Sequence, residues 1–137
     1  MRVLVVNAGS SSLKLSLLDG RRSVAAQNLP AERGLIDPGD VERAVAGLGA
    51  VDAVGHRIVH GGARYRQAVR VDAEVVRGLG ELSALAPLHQ AKSLAALTTV
   101  SRVLADVPSV ACFDTAFHAT LPPAAYTYAL PPAWCDR

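Results

Sequence analysis

Val3-Leu4-Val5-Val6-Asn7-Ala8-Gly9-Ser10-Ser11-Ser12-Leu13-Lys14-Leu15-Ser16-Leu17-Leu18-Asp19-Gly20 opens the chain and decides its fold. Val3 to Val6 is a continuous apolar run, the pattern of a strand covered on both faces. The small polar residues from Asn7 to Ser12 read as a turn. Leu13, Leu15 and Leu17 then alternate with Lys14, Ser16 and Leu18, which makes a second strand. Asp19-Gly20 is a hairpin signal, and Ser23 to Gln27 supplies a third strand. The chain therefore starts as an antiparallel meander whose first connection is a Gly/Ser loop.

Beyond the meander, strand and helix patterns alternate. Pro and Gly between Leu29 and Asp40 read as loop. Asp40 is placed as the N-cap of a short helix with Val41, Val45 and Leu48 on one face. Val51 to His60 reads as a strand broken by Gly61-Gly62. Asp72 caps a helix carrying Val75, Val76, Leu79 and Leu82, and Pro87 is read as its end. Helical spacing returns from Ala91 to Ala105, and Ser109 to Phe113 forms a last strand that runs into Asp114. Leu121 to Trp134 has several prolines and no period. The expected fold is one α/β domain, residues 1–137, on a mixed sheet.

Half of the 137 residues are hydrophobic and 19% are charged, so a core of aliphatic side chains is available and disorder is excluded. A net charge of +2, with arginines scattered as at Arg21-Arg22, Arg64 and Arg66, gives no concentrated basic face, so no nucleic-acid partner is expected. No apolar run approaches a membrane span or a signal-peptide core. Cys112 and Cys135 make no CxxC pair, which fits a reducing cytoplasm, the expected location.

The Asn7–Ser12 loop is the first candidate for chemistry. It offers backbone N–H groups, hydroxyls and an amide, and Lys14 lies on the same strand face as Ser12. Such a loop can cradle phosphate, with lysine as a point charge; an ordinary polar turn with a surface lysine is the alternative. No Walker A loop is present, because no second Gly precedes the lysine and a strand follows it. His56 and His60 stand four apart, but their segment reads as a strand and no glutamate follows His56, so no zinc site is expected.

Val3 to Lys14 resembles the N-terminal signature of the acetate kinases, members of the superfamily that also holds sugar kinases, actin and the heat-shock ATPases. Val54-Gly55-His56-Arg57-Ile58-Val59-His60-Gly61-Gly62, Leu85-Ala86-Pro87-Leu88-His89 and Phe113-Asp114-Thr115-Ala116-Phe117-His118, with Tyr126 to Pro131, resemble three further family segments in the same order. The resemblance implies a ribonuclease H-like domain and transfer of the γ-phosphoryl group of ATP to acetate, with Mg²⁺. It further implies that Arg57 binds substrate and the transferring group, and that Asp114 is the active-site acid. Asn7 is implied in the Mg²⁺ site, Lys14, Ser10 and Ser12 on nucleotide phosphates, and Val59 and Leu88 in the acyl pocket.

Each of these residues has a plainer reading too. Arg57 can be a salt-bridged strand arginine, Asp114 an N-cap, Asn7 a turn-former, and Val59 and Leu88 core. His89 and His118 are read as hydrogen-bonding supports of the site. Gln90 departs from the Asn usual in the family, and its longer amide is expected to reposition a loop contact. A pocket for one methyl group discriminates weakly against another methylene, so propionate or butyrate is the alternative substrate.

The family's His-Gly-Thr-Ser-His segment, its adenosine-binding segments, a second arginine and a metal-completing Glu have no counterpart in these residues. The expectation is an N-terminal domain lacking its C-terminal partner, inactive alone, with an exposed apolar docking patch that favours self-association. The whole enzyme is expected to be a homodimer. A short non-catalytic binding or regulatory relative is the alternative.

Overall fold

The computed structural model describes residues 1–31, 36–131 and 134. Three antiparallel strands come first: β1 (Arg2–Ala8), β2 (Ser12–Asp19) and β3 (Arg22–Pro30). Then follow α1 (Pro38–Leu48), β4 (Ala53–Ile58), β5 (Val69–Arg70), α2 (Ala73–Glu81), α3 (Pro87–Val103), β6 (Ser109–Phe113) and the single turn α4 (Pro123–Tyr126). The strands form one sheet in the order β3-β2-β1-β4-β6-β5. β1, β4 and β6 are parallel, whereas β2, β3 and β5 run antiparallel to their neighbours. The expected mixed sheet that opens as a meander is what the chain forms.

Alternation sorts the side chains. Leu4, Val6, Leu13, Leu15, Leu17 and Val54 are buried against Val41, Ala44, Val45 and Leu48 of α1 and Ala96 and Val100 of α3. A second cluster joins Ile58, Tyr65, Leu79, Leu97, Ala111 and Phe113 under α2 and α3. On the opposite face Val3, Val5, Asn7, Ser16 and Leu18 are only half-buried, and Lys14 and Arg57 are exposed. β1 is thus covered by described helices on one face, a correction to the reading of its apolar run as a strand covered on both.

Several boundaries differ from the sequence reading, each for a local reason. β3 continues past Gln27 to Pro30 because its pairing with β2 persists to Ser12↔Pro30, and an edge strand tolerates proline. Part of the expected 29–40 loop is therefore strand, and its residues 32–35 lie outside the described ones. Asp37, not Asp40, is the N-cap of α1: its carboxylate accepts the Asp40 N–H at 3.0 Å, with Pro38 in the first turn. Asp40 instead pairs with Arg43. The strand read from Val51 to His60 is confined to Ala53–Ile58, where it has partners on both sides.

Pro87 does not end α2. That helix stops at Glu81, a 3₁₀ turn takes Leu82–Ala84, and Pro87 starts α3, where its missing N–H costs nothing. Asp72 does cap α2, accepting the Val75 N–H at 2.8 Å. A second 3₁₀ turn, Asp114–His118, follows β6. Among the described residues no helix is long and apolar enough to cross a membrane. Cys112 is a free, exposed thiol, and Cys135 lies outside the described residues.

Gly61 and Gly62 turn the chain after β4. A Cβ on Gly61 would lie 2.2 Å from the Tyr65 carbonyl oxygen, and Gly62 has φ +60° beside Leu82. No alanine fits the first position without moving backbone. Gly55, by contrast, faces open space on the uncovered sheet face. We therefore expect Gly61→Ala to cost about 1–3 kcal/mol in urea unfolding, and Gly55→Ala to stay within about 0.5 kcal/mol of the parent or gain slightly.

His56 points from β4 into the core, 1% exposed, and neither ring nitrogen has a protein partner among the described residues. Burial pushes its pKa down from 6.5 to about 4. Below pH 6.5 the unfolded chain takes up a proton that the folded chain refuses until about pH 4. The His56 part of the stability is therefore complete above pH 6.5 and falls between 6.5 and 4, by about 3 kcal/mol. Urea unfolding at pH 7 and pH 4.5 measures this, and His56→Leu should flatten that part of the slope.

Candidate active site

Because β1, β4 and β6 are parallel neighbours, their carboxyl ends open on the same edge of the sheet. Such an edge is where open α/β sheets bind ligands. Asn7 is the penultimate residue of β1 and Arg57 of β4, and Asp114 follows the last residue of β6. Asn7 and Arg57 are paired across the ladder, so alternation sends both side chains to the uncovered face.

There the three side chains meet. Arg57 Nε donates to Asp114 Oδ1 at 2.9 Å and Nη2 to Oδ2 at 2.7 Å, a bidentate fork. Arg57 Nη1 donates to Asn7 Oδ1 at 3.0 Å. The hydrogen bonds that Arg57 donates to Asp114, and the charge of that carboxylate, raise the Arg57 pKa above its ordinary value. Of the five N–H donors on a guanidinium, these contacts occupy three and leave two for a ligand. The side chains are 50% and 39% exposed, so an anion from solvent can reach them.

The N-cap alternative for Asp114 fails, because both its oxygens go to Arg57 and the residue capping the 3₁₀ turn is Phe113, without a side-chain bond. The salt-bridge alternative for Arg57 is correct as far as it goes, and its partner is the other candidate residue. Asn7 lies within β1 and its side chain accepts from Arg57, so turn formation does not explain it.

Lys14 is the cross-strand partner of Asn7 on β2 and is exposed. It lines a shallow cavity of about 280 Å³ with Ser16, Ala26 and Asn28. Ser10 and Ser12 flank the tip of the β1–β2 loop, closed by the Gly9 N–H donating to the Ser12 carbonyl at 2.8 Å. Val59 is half-buried just past β4. Leu88 stands in the first turn of α3, 76% exposed, so core packing does not account for it. Neither is a member of the hydrogen-bonded Asn7–Arg57–Asp114 cluster.

The neighbouring turn is tied down from several sides. The Gly61 N–H donates to Thr115 Oγ1 at 3.1 Å, and the Gly62 N–H to His60 Nδ1 at 2.8 Å. Gln90, fully buried, donates from Nε2 to the His60 and Leu79 carbonyls at 3.2 and 3.3 Å. The unusual amide is thus a loop contact. His118 packs edge-on against Phe117 and lines a second cavity of about 230 Å³ with Arg66 and Thr115. His89 is exposed. Lys92, which the sequence reading passed over, donates to the Ser10 carbonyl at 2.9 Å; only the scarcity of lysine in the chain pointed to it.

A metal would find hard oxygen donors here. One amide oxygen and one carboxylate suit Mg²⁺, which takes one or two protein oxygens and otherwise keeps waters and phosphate oxygens. Among the described residues no group of three or more His, Cys, Asp or Glu could hold a metal by itself.

The fold is an open mixed sheet of the superfamily that holds the acetate and sugar kinases, actin and the heat-shock ATPases. It superposes on acetate kinase from Porphyromonas gingivalis with a TM-score of 0.78 and 29% identity, over 98% of this chain and 42% of that one. A propionate kinase from Francisella tularensis gives 0.74 and 27%, over 96% and 41%. Acetate kinase from Thermotoga maritima is 38% identical over 170 aligned residues, covering all of this chain. Residues 40–137 match the model of the Acetokinase family, and the chain belongs to that family. It spans about two fifths of the length of the curated relatives it matches, 42% for the Thermotoga maritima enzyme.

A surface ion pair contributes about 0–1 kcal/mol to folding. Arg57→Ala and Asp114→Asn should therefore each unfold within about 1 kcal/mol of the parent in urea. A loss well beyond that would mean that the fork holds the fold together and is not held ready for a ligand.

Proposed function

We propose that this chain is the N-terminal domain of an acetate kinase, which transfers the γ-phosphoryl group of ATP to acetate, reversibly, to give acetyl phosphate and ADP. The observation that carries the reading is the Arg57 fork, held by Asn7 and Asp114 at the ends of three parallel strands with two donors to spare.

Acetate is ionised at pH 7, so no general base is needed. A carboxylate oxygen forms the new bond to phosphorus, the bond to the ADP oxygen breaks, and ADP leaves with that electron pair. No proton moves. The barrier is the approach of one anion to another, and the protein's task is positioning and charge compensation. Arg57 supplies a fixed guanidinium for the carboxylate and the transferring phosphoryl. Asp114 and Asn7 orient that guanidinium, and both would hold Mg²⁺, which when bound neutralises phosphate charge. Lys14 and the Ser10 and Ser12 loop would take nucleotide phosphates. Val59 and the exposed Leu88 would face the methyl group.

Half of a phosphate clamp does not pre-organise the reaction. The adenosine site, the rest of the acyl pocket and the homodimer contacts belong to the partner domain in this reading. Exposed Leu88 and Phe117 are part of the surface such a domain would cover. Propionate stays the second reading, supported by the likeness to the Francisella tularensis propionate kinase.

The 137-residue chain alone should form no appreciable acetyl phosphate from ATP and acetate. Joined to the remainder of a family member it should be active, and Arg57→Ala should then lower kcat by about 10²–10³-fold. Arg57→Lys should rescue little, because an ammonium cannot reproduce the fork. Full activity in the alanine variant would sink the assignment.

A further inference from the structure

The β1–β2 loop holds its backbone in an orderly way. The Ser10 carbonyl accepts from Lys92 Nζ at 2.9 Å, the Ser11 carbonyl from the Ala31 N–H at 3.0 Å, and the Ser12 carbonyl from the Gly9 N–H at 2.8 Å. All three serine carbonyls are thus occupied by protein donors. In a trans peptide the C=O and the following N–H point in opposite directions. A donor that captures the Ser10 carbonyl therefore aims the Ser11 N–H the other way. The N–H groups of Ser10 and Ser11 have no protein partner among the described residues, and both serines are exposed.

Two of those donors are local to the meander, and Lys92 is not. It lies 82 residues away in α3, whose Ser93, Ala96 and Leu97 are buried in the core. The half-buried lysine thus ties the loop tip to a helix that contributes to both core clusters. Its charge is also uncompensated: among the described residues no carboxylate pairs with Lys92 or with Lys14. Of the chain's two lysines, Lys92 holds the loop tip and Lys14 stands on β2 opposite Asn7.

We propose that Lys92 is a positioning residue for phosphate. Its ammonium group clamps the Ser10 carbonyl so that the Ser11 N–H faces outward, and its positive charge stands behind that peptide, on the carbonyl side. Fixed N–H groups backed by an unpaired cation make an anion cradle. The ligand class is a phosphate or the terminal phosphate of a phosphate ester. The proposal rests on the phosphate reading of the loop given above.

Titration of the ¹⁵N-labelled 137-residue chain with inorganic phosphate tests it, together with backbone order parameters of the loop. In the parent chain, phosphate should shift the Ser10–Ser12 amides, and their order parameters should sit near 0.85, the value of rigid backbone. Lys92→Met should drop the order parameters of Ser10 and Ser11 below about 0.6 and weaken phosphate binding about tenfold. Lys92→Arg should restore both. Lys14→Met should weaken binding while leaving the loop rigid.

A Lys92→Met chain with a rigid loop overturns the proposal, whether its affinity is unchanged or merely reduced by the lost charge. No phosphate shift in the parent, with the loop still loosened by Lys92→Met, overturns the phosphate reading and leaves only the mechanical clamp.

Discussion

Side-chain alternation along β1, β2 and β4 is the constraint from which the rest of the molecule follows. It sends Leu4, Val6, Leu13, Leu15, Leu17 and Val54 to the face that α1 and α3 cover. The residues between them, including Asn7, Lys14 and Arg57, must then emerge on the other face. A slip of one residue in either ladder would turn the slipped strand's polar residues inward and its core residues outward, so the register is strongly specified. The site inherits its precision from that demand. Its polar groups are placed by what the leucines require.

The Arg57–Asp114 fork makes a different kind of contribution. Half-exposed, it adds little to folding. It does fix the plane of a guanidinium that would otherwise sample many rotamers, and the entropy of that ordering is spent before any ligand arrives. The ladder pairing supplies Asn7 as a third point of attachment. Around it the Gly61 N–H is tied to Thr115 Oγ1, the Gly62 N–H to His60 Nδ1 and the His60 carbonyl to Gln90, so the segments next to the fork are braced by bonds between side chains and backbone. The rigidity lies in the scaffold, and the open side of the cluster is left to solvent.

The core is less tidy than the site. His56 is enclosed with both ring nitrogens unpartnered among the described residues, and the Tyr65 hydroxyl and Gln90 Oε1 share that condition. Each such group costs free energy that the aliphatic packing must offset. Tyr65 at least stacks on Phe113 at 5.5 Å, which closes the second core cluster beneath Gly61 and Gly78. Those glycines are required by the tyrosine, since a Cβ on Gly78 would lie 2.3 Å from its hydroxyl. For the second cluster, therefore, small residues matter as much as large ones.

Much of this was legible in order along the chain. The alternating leucines of β2, the Asp19-Gly20 turn with Gly20 at φ +58°, and the Asp72 cap of α2 are local signals with local causes, and they appear where they were read. Asp40 and Pro87 were misplaced because Asp37 and Asp40 both stand just ahead of the apolar residues of α1, and proline is compatible with either side of a helix boundary. The motifs that resemble the acetate kinases named Asn7, Arg57 and Asp114 separately. That Asp114 closes on Arg57 across 57 positions, and that Lys92 reaches Ser10 across 82, could not be read from spacing. By itself the sequence determined the strands, their two-residue period and the residue types available to bind an anion, because those depend on neighbours in the chain. Only the tertiary structure decided which of them meet, because the parallel pairing of β1, β4 and β6 brings together strand ends that no local interaction connects.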